Sequence, residues 1–301
     1  MHTKQVIKIT TKRNIFFQRK KILPWLLVSP YLVFVAVFVI FPVLFSFFLT
    51  FHKWNIIAPM EFIGTANYTR LFQDRLFWKA ISNTLKFLLL HIPLQLAVSL
   101  FLAQLLNQKL KAVSFFRASF FMPVIVSGVV VTILWQQLLG YDSGLINRLL
   151  VNLGIQKVGW LIDPDIAIYS IAVMATWKNV GLYVILFLVG LQTVPTQYYE
   201  AAKLEGATRW QQFYHITLPM INPTIFMVVI LSTIGGFSLF IEPYIMTGGG
   251  PMNQTLSAVL YIYKQAFQYY NMGYSATLGF FYALMIMTVV ILQKKLIEKE
   301  V

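Results

Sequence analysis

The sequence predicts an all-α polytopic membrane protein of about six transmembrane helices. Three observations carry that reading. Of 301 residues, 58% are hydrophobic and 11% charged, with a mean hydropathy of +0.70, whereas soluble globular chains carry about 25% charged residues. Apolar runs recur that are long enough to cross a hydrocarbon core of roughly 30 Å as helices. Basic residues gather in the gaps between those runs, and Gly or Pro breakers mark several of the ends.

Taken in order, the spans read as Leu23–Phe48, Thr84–Leu106, Phe116–Leu139, Ile166–Val194, Met220–Tyr244 and Tyr274–Leu292. The first run is far longer than a signal-peptide core and no small-x-small site follows it, so it is expected to stay attached as a span. Gly140 with Asp142 and Gly144 closes the third span, Pro195 the fourth; Pro219 opens the fifth, and Gly248-Gly-Gly-Pro251 follows it. Helical periodicity has no purchase in spans that are apolar all round, so length and charge gaps set their limits. The chain divides into a basic N-terminal tail, 1–22, and a membrane domain, 23–301, with a polar loop at about 195–219. No soluble domain, low-complexity tract or short repeat is evident.

Orientation follows from Lys and Arg. With both termini in the cytoplasm, the inner segments hold 15 of the 24 basic residues and the outer loops 7, while Lys86 and Lys178 fall inside spans. Inner loops normally carry the excess, so both termini and the 195–219 loop are expected on the cytoplasmic side. The same bias accounts for the net charge of +14 without nucleic acid as a partner. The tail mixes basic residues with Ile7, Ile9, Ile15, Phe16 and Phe17, which suits either an inner-leaflet interfacial segment or a plain topology signal. There is no cysteine, which excludes disulfides, thiol catalysis and cysteine-ligated metals.

The loop after the fourth span, Glu200-Ala-Ala-Lys-Leu-Glu-Gly-Ala207, is polar and helix-forming, so it must project into water. Thr196 is a candidate N-cap that places Glu200 near the positive end of a short helix. Gly206 suits a C′ position with positive φ, and Thr208 with Gln211 matches a capping box for a second helix. Trp210, Phe213 and Ile216 supply the hairpin's apolar contacts, and Pro219 and Pro223 begin the next span, where a missing donor matters least. By spacing alone this is a helical hairpin that joins two spans or docks a soluble partner.

The pattern Glu200-Ala201-Ala202, Gly206, an aromatic and Leu218-Pro219 resembles the signature loop of ABC-importer permeases. Phe62-Ile-Gly-Thr-Ala-Asn-Tyr68, Arg117 through Pro123, Gly144-Leu-Ile-Asn147 and Thr247-Gly-Gly-Gly-Pro251 extend the likeness to the carbohydrate-uptake class along nearly the whole chain. The resemblance implies the type I ABC-importer permease architecture, with Glu200, Ala201, Ala202, Glu205 and Gly206 in a loop that couples to an ATPase. Glu205 stands where the family more often has Asp, which keeps the charge. It further implies a second homologous permease subunit, a dimeric cytoplasmic ATPase, an extracytoplasmic solute-binding protein and a sugar or oligosaccharide substrate. The setting implied is the bacterial cytoplasmic (inner) membrane. No cofactor is expected on this chain, ATP and Mg being used by the partner ATPase, since no G-x-x-x-x-G-K-[ST] occurs. The chain is therefore expected not to be an enzyme.

Other candidates are weaker. His2, His52, His91 and His215 are isolated, with no metal-site spacing; His91 reads as a hydrogen-bonded interior residue or a cavity-lining one. Glu242 and Lys86 read as charges near outer helix ends that snorkel. Asn67 and Asn253 lie in N-x-T sequons that carry little weight in a bacterial chain. Lys178 lies mid-span, where a charge costs at least ~2.5–3.5 kcal/mol unless paired or hydrated; structural pairing and a place on the substrate pathway both remain open. Asn179, Tyr183, Gln192, Ser232, Ser238 and Tyr282 can contact sugar hydroxyls or bridge helices; Lys178, Asn179, Tyr183 and Ser238 form the candidate pathway set. Two alternatives stay open, an ABC permease for another solute such as glycerol phosphate and an ion-coupled secondary transporter. The latter normally carries several intramembrane carboxylates, and here Glu242 is the one acid near a span.

Overall fold

The computed structural model describes residues 23–108 and 113–297. The tail 1–22 and Lys109, Lys111 and Lys299, all counted for orientation, lie outside them. Among the described residues, five helices are long and apolar enough to span a membrane, or six if one sharply bent pair counts as a single span. The first, α1 (Leu23–Leu49), widens into a π turn at Ala36–Ile40. Pro42 follows this turn; its ring crowds the carbonyl four residues back and it has no N–H to donate, which locally opens the helical ladder. A two-residue hairpin, β1 (His52–Lys53) with β2 (Glu61–Phe62), is antiparallel with His52 opposite Phe62. The short α2 (Ala66–Gln73) follows.

Helix α3 runs from Arg75 to Leu106, 32 residues, and so begins nine residues before the expected Thr84. Asp74 explains the early start: its carboxylate accepts from Leu76 N at 3.0 Å and Phe77 N at 3.1 Å, satisfying donors a helix start leaves open. The longer helix places Lys86 about three turns inside it and exposed, not near a helix end.

The third expected span, Phe116–Leu139, is not continuous. It is two helices, α4 (Val113–Ile125) and α5 (Gly128–Leu138), bent by 97°. Ser127 takes an extended backbone (φ −49°, ψ 125°) at the break, a few residues beyond Pro123, which interrupts the ladder of α4. After α6 (Leu145–Asn152), the fourth span α7 (Ala167–Gln192) is the most buried of the set. The loop helices α8 (Thr196–Leu204) and α9 (Arg209–Gln212) lead through a π turn and a short helical turn into the fifth span. That span is also divided, into α10 (Asn222–Phe237) and α11 (Ile241–Met246). Finally, α12 (Ala258–Tyr263) precedes α13 (Met272–Ile297).

The packing has two apolar centres. One gathers Phe77, Ile81, Phe87, Ile171, Leu260 and Leu278 around the N-terminal half of α3. The other gathers Ala103, Leu106, Val184, Phe187, Leu191 and Ile221 around its C-terminal half. Between them α3 and α7 are tied by a polar contact, His91 Nδ1 to Thr176 Oγ1 at 2.8 Å. Thr176 already donates to Ala172 O at 2.8 Å, so it accepts from His91.

Asp74 joins three elements. Besides capping α3, its Oδ2 accepts from the hydroxyls of Tyr261 on α12 and Tyr274 on α13, both at 2.6 Å. Arg70 lies 3.9 Å over the Tyr274 ring. Burial raises the Asp74 pKa, but the two hydroxyls and the Phe77 and Leu76 amides outweigh it and hold the carboxyl below its ordinary 3.8. A depressed carboxylate contributes stability that is present above the unfolded pKa and lost as pH falls through the folded one. Asp74→Asn is therefore expected to lower the thermal midpoint at pH 7 by a few degrees, about 1–2 kcal/mol after allowance for partial exposure. The gap to wild type should close below about pH 3.8, which a pH series of melts in nanodiscs checks; a gap independent of pH contradicts the assignment.

Candidate functional site

Two separate sites emerge, a helical hairpin after the fourth span and a polar cavity between the fourth and fifth. In the hairpin, Pro195, not Thr196, is the N-cap of α8, with extended backbone and no side-chain cap bond. Proline's fixed φ suits the turn into the helix. Thr196 is then the first helical residue, and Glu200 sits in the second turn, exposed, rather than at the positive end. Gly206 has φ +82°. The amide of Gly206 donates to Lys203 O at 3.0 Å and that of Ala207 to Ala202 O at 2.9 Å, the paired bonds of a Schellman closure. The capping box of Thr208 and Gln211 is present, with both reciprocal bonds.

These two closures fix the angle between α8 and α9. Tyr199 Oη to Thr217 Oγ1, 2.9 Å, and Gln212 Nε2 to Ala207 O, 3.0 Å, brace the hairpin from beneath. The result is a concavity of about 460 Å³ lined by Ala201, Ala202, Glu205, Gly206, Gln211 and His215. Glu200 lies on the same helix outside that lining. Leu204 and Trp210 stand out from the loop, 91% and 74% exposed. Trp210 was expected to pack inside the hairpin; it touches Phe213 edge-on and otherwise faces outward, whereas Phe213 and Ile216 are half-buried. Small residues in a hollow beside protruding apolar ones make a surface that another protein can enter closely.

The second site is a cavity of about 220 Å³. It brings together all four residues of the candidate pathway set, Lys178, Asn179 and Tyr183 from α7 and Ser238 from the end of α10, with Ser232 and His91 beside them. Gln192 is exposed at the end of α7, away from it. Tyr282 instead bridges helices, its hydroxyl donating to Phe237 O at 2.7 Å.

Glu242 is the correction with most consequence. It does not snorkel at a helix end; it is 7% exposed and forms an ion pair with Lys178, Nζ to Oε1 2.8 Å. The break between α10 and α11 turns Glu242 inward, and Gly128, at the bend of the third span, leaves room for the lysine: a Cβ there would come within 3.1 Å of Nζ. The one sequence signal was complementarity, a mid-span cation and a single span acid. Among the described residues no cluster of His, Asp and Glu could hold a metal. Asn67 is buried, its amide donating to Thr50 O and His52 O, so that sequon is closed to modification.

The family described as binding-protein-dependent transport system inner membrane component matches residues 21–300. Among similar proteins, LacF of Rhizobium radiobacter, a lactose transport system permease protein, is 36% identical over 290 residues, covering 94% of this chain and 97% of that one. AraP of Bacillus subtilis (strain 168), an arabinooligosaccharides transport system permease protein, is 34% identical over 289 residues, covering 94% and 91%. A chain in the crystal structure of a bacterial alginate ABC transporter, in complex with an alginate pentasaccharide-bound periplasmic protein, has the same fold. Its TM-score is 0.81 at 23% identity, covering 93% of this chain and 96% of that one. With its several apolar spans, its loop hairpin and these matches, the chain belongs to the inner-membrane components of binding-protein-dependent transport systems, a multi-pass ABC permease subunit that moves substrate rather than transforming it.

Proposed function

We propose that this chain translocates a sugar or oligosaccharide across the cytoplasmic membrane as one of two homologous permease subunits, powered by a dimeric cytoplasmic ATPase and supplied by an extracytoplasmic binding protein. ATP and Mg are used by the ATPase. The observation that carries the reading is the α8–α9 hairpin, whose hollow is lined by Ala201 and Ala202 while a Schellman closure and a capping box fix its turn. A rigid element of this kind can pass motion from a docked ATPase to the spans that flank it. The names of LacF and AraP support the saccharide class. The cavity, lined by hydroxyl and amide groups, supports it from the chemistry of the wall.

Transport in this reading is alternating access. ATPase closure draws the docked loops together, the spans rock, and the cavity opens to the other side. Direction comes from contacts that differ between the two states, since the chain performs no chemistry of its own. The orientation that puts the hairpin and both termini in the cytoplasm rests on the Lys and Arg count. An ion-coupled carrier fits less well: Glu242, the one acid in a described span, is engaged by Lys178. The test is uptake of labelled saccharide by cells expressing the system. Inhibition by vanadate and resistance to an uncoupler are expected; the reverse pattern contradicts an ATP-driven mechanism.

A further inference from the structure

The charges on the cavity wall bear on which saccharides can pass. Lys178 and Glu242 are 16% and 9% exposed at the side chain, and their head groups are 2.8 Å apart. The other polar groups of the wall, Asn179, Tyr183, Ser232 and Ser238, are amides and hydroxyls. At pH 8 an imidazole with the ordinary pKa of about 6.5 is neutral, so His91 adds no charge there. The wall therefore presents two opposite charges in contact and no free one.

Building on the saccharide reading, we propose that the Lys178–Glu242 pair makes this subunit's share of the path selective for uncharged saccharides. The two groups neutralise each other and leave hydroxyl and amide groups to meet substrate. An acidic sugar entering the cavity meets the Glu242 carboxylate at close range. It can claim Lys178 either by displacing that carboxylate and leaving it buried and unpaired, which is strongly unfavourable, or by sharing the ammonium with it, which sets two carboxylates in like-charge contact. A cationic sugar faces the converse. A neutral sugar faces neither penalty: an ammonium has three donors and Glu242 engages one, so Lys178 can also donate to a sugar oxygen while the pair stays closed. Ser238 spends its hydroxyl donor on Ile234 O and Asn179 one of its two amide N–H donors on Ala175 O. Their oxygens remain as acceptors for sugar hydroxyls.

The test is equilibrium binding of tritiated probes at pH 8 to the whole permease–ATPase complex in nanodiscs, without binding protein so that its own selectivity does not enter. Lactose, maltotriose and arabinotriose serve as uncharged probes and trigalacturonate as the acidic one. Wild type is expected to favour at least one uncharged probe over trigalacturonate by about tenfold or more, the scale of a like-charge contact. Glu242→Gln, which leaves the lysine unpaired, is expected to shift that ratio toward trigalacturonate by about tenfold. Lys178→Gln combined with Glu242→Gln should restore the preference for uncharged probes. Ser238→Lys adds a cation while keeping the pair, and should shift the ratio as Glu242→Gln does even if the latter fails to assemble. Wild type binding trigalacturonate as well as the uncharged probes, or a ratio unmoved by Glu242→Gln and Ser238→Lys, overturns the proposal. Binding of none of the four counts against the saccharide reading beneath it.

Discussion

Gly206→Val is expected to leave the subunit inserted and expressed at wild-type levels while abolishing binding-protein-stimulated ATP hydrolysis and uptake. At φ +82° the residue occupies a conformation that a β-branched side chain adopts only under strain, on the order of 1–3 kcal/mol. Beyond the glycine and its two chain neighbours no atom lies within 4 Å of the position a Cβ would take, so the effect is backbone strain rather than a clash. Relief of that strain rotates α8 against α9, opens the bonds from Gly206 and Ala207 to Lys203 and Ala202, and tilts Ala201 and Ala202 out of the hollow. The spans bury far more surface than this turn and should hold. Abundance by immunoblot, set against stimulated ATPase in proteoliposomes, separates the two effects. Wild-type stimulation in the variant contradicts the coupling role of the loop.

Gly181→Leu is expected to have the opposite profile, losing the folded subunit itself. At Gly181, α7 lies directly against the backbone of α4. A Cβ there would overlap the Phe120 carbonyl and lie 2.9 Å from Phe121 Cα. These are backbone atoms that no rotamer change can move aside, so the cost falls at or above the ~1–3 kcal/mol usual for overpacking. The variant should be degraded or fail to assemble. Gly279→Leu on α13, where nothing lies within 4 Å of an added Cβ, serves as a control and should assemble normally. Equal abundance of the two variants removes the basis for this crossing.

The contrast between these glycines shows what could be read from the chain directly. Gly206 and the Thr208–Gln211 box were legible because a turn and a cap are set by residues three or four apart. Six apolar runs were legible from length. The bend at Ser127 was not, because a span apolar on every side shows no periodicity that a break could disturb. The early start of α3 was missed because its cap, Asp74, precedes a stretch carrying Arg75 and Lys79 that reads as a polar loop. Gly181 and Glu242 depend on neighbours about 60 residues away in sequence. For Gly181 no local pattern pointed to the neighbour. For Glu242, the unpaired mid-span lysine was the clue to a partner, yet its position near the end of an apolar run suggested exposure. The helix break that turns it inward lies three residues before it, at Ser238–Phe240. The four residues of the candidate pathway set line one cavity, and the acid that holds its lysine was absent from the set.

In the proposed function the α8–α9 hairpin faces the cytoplasm and docks on an ATPase. Because the chain has no cysteine, single cysteines report cleanly. Ser143→Cys, Leu204→Cys and Ala201→Cys all place the thiol at exposed positions. In intact cells an impermeant maleimide is expected to label Ser143→Cys and not Leu204→Cys. In inverted vesicles a thiol-directed photo-cross-linker on Ala201→Cys should capture the co-expressed ATPase. Labelling of Leu204→Cys from outside, or a functional Ala201→Cys transporter that never cross-links to the ATPase, contradicts the claim.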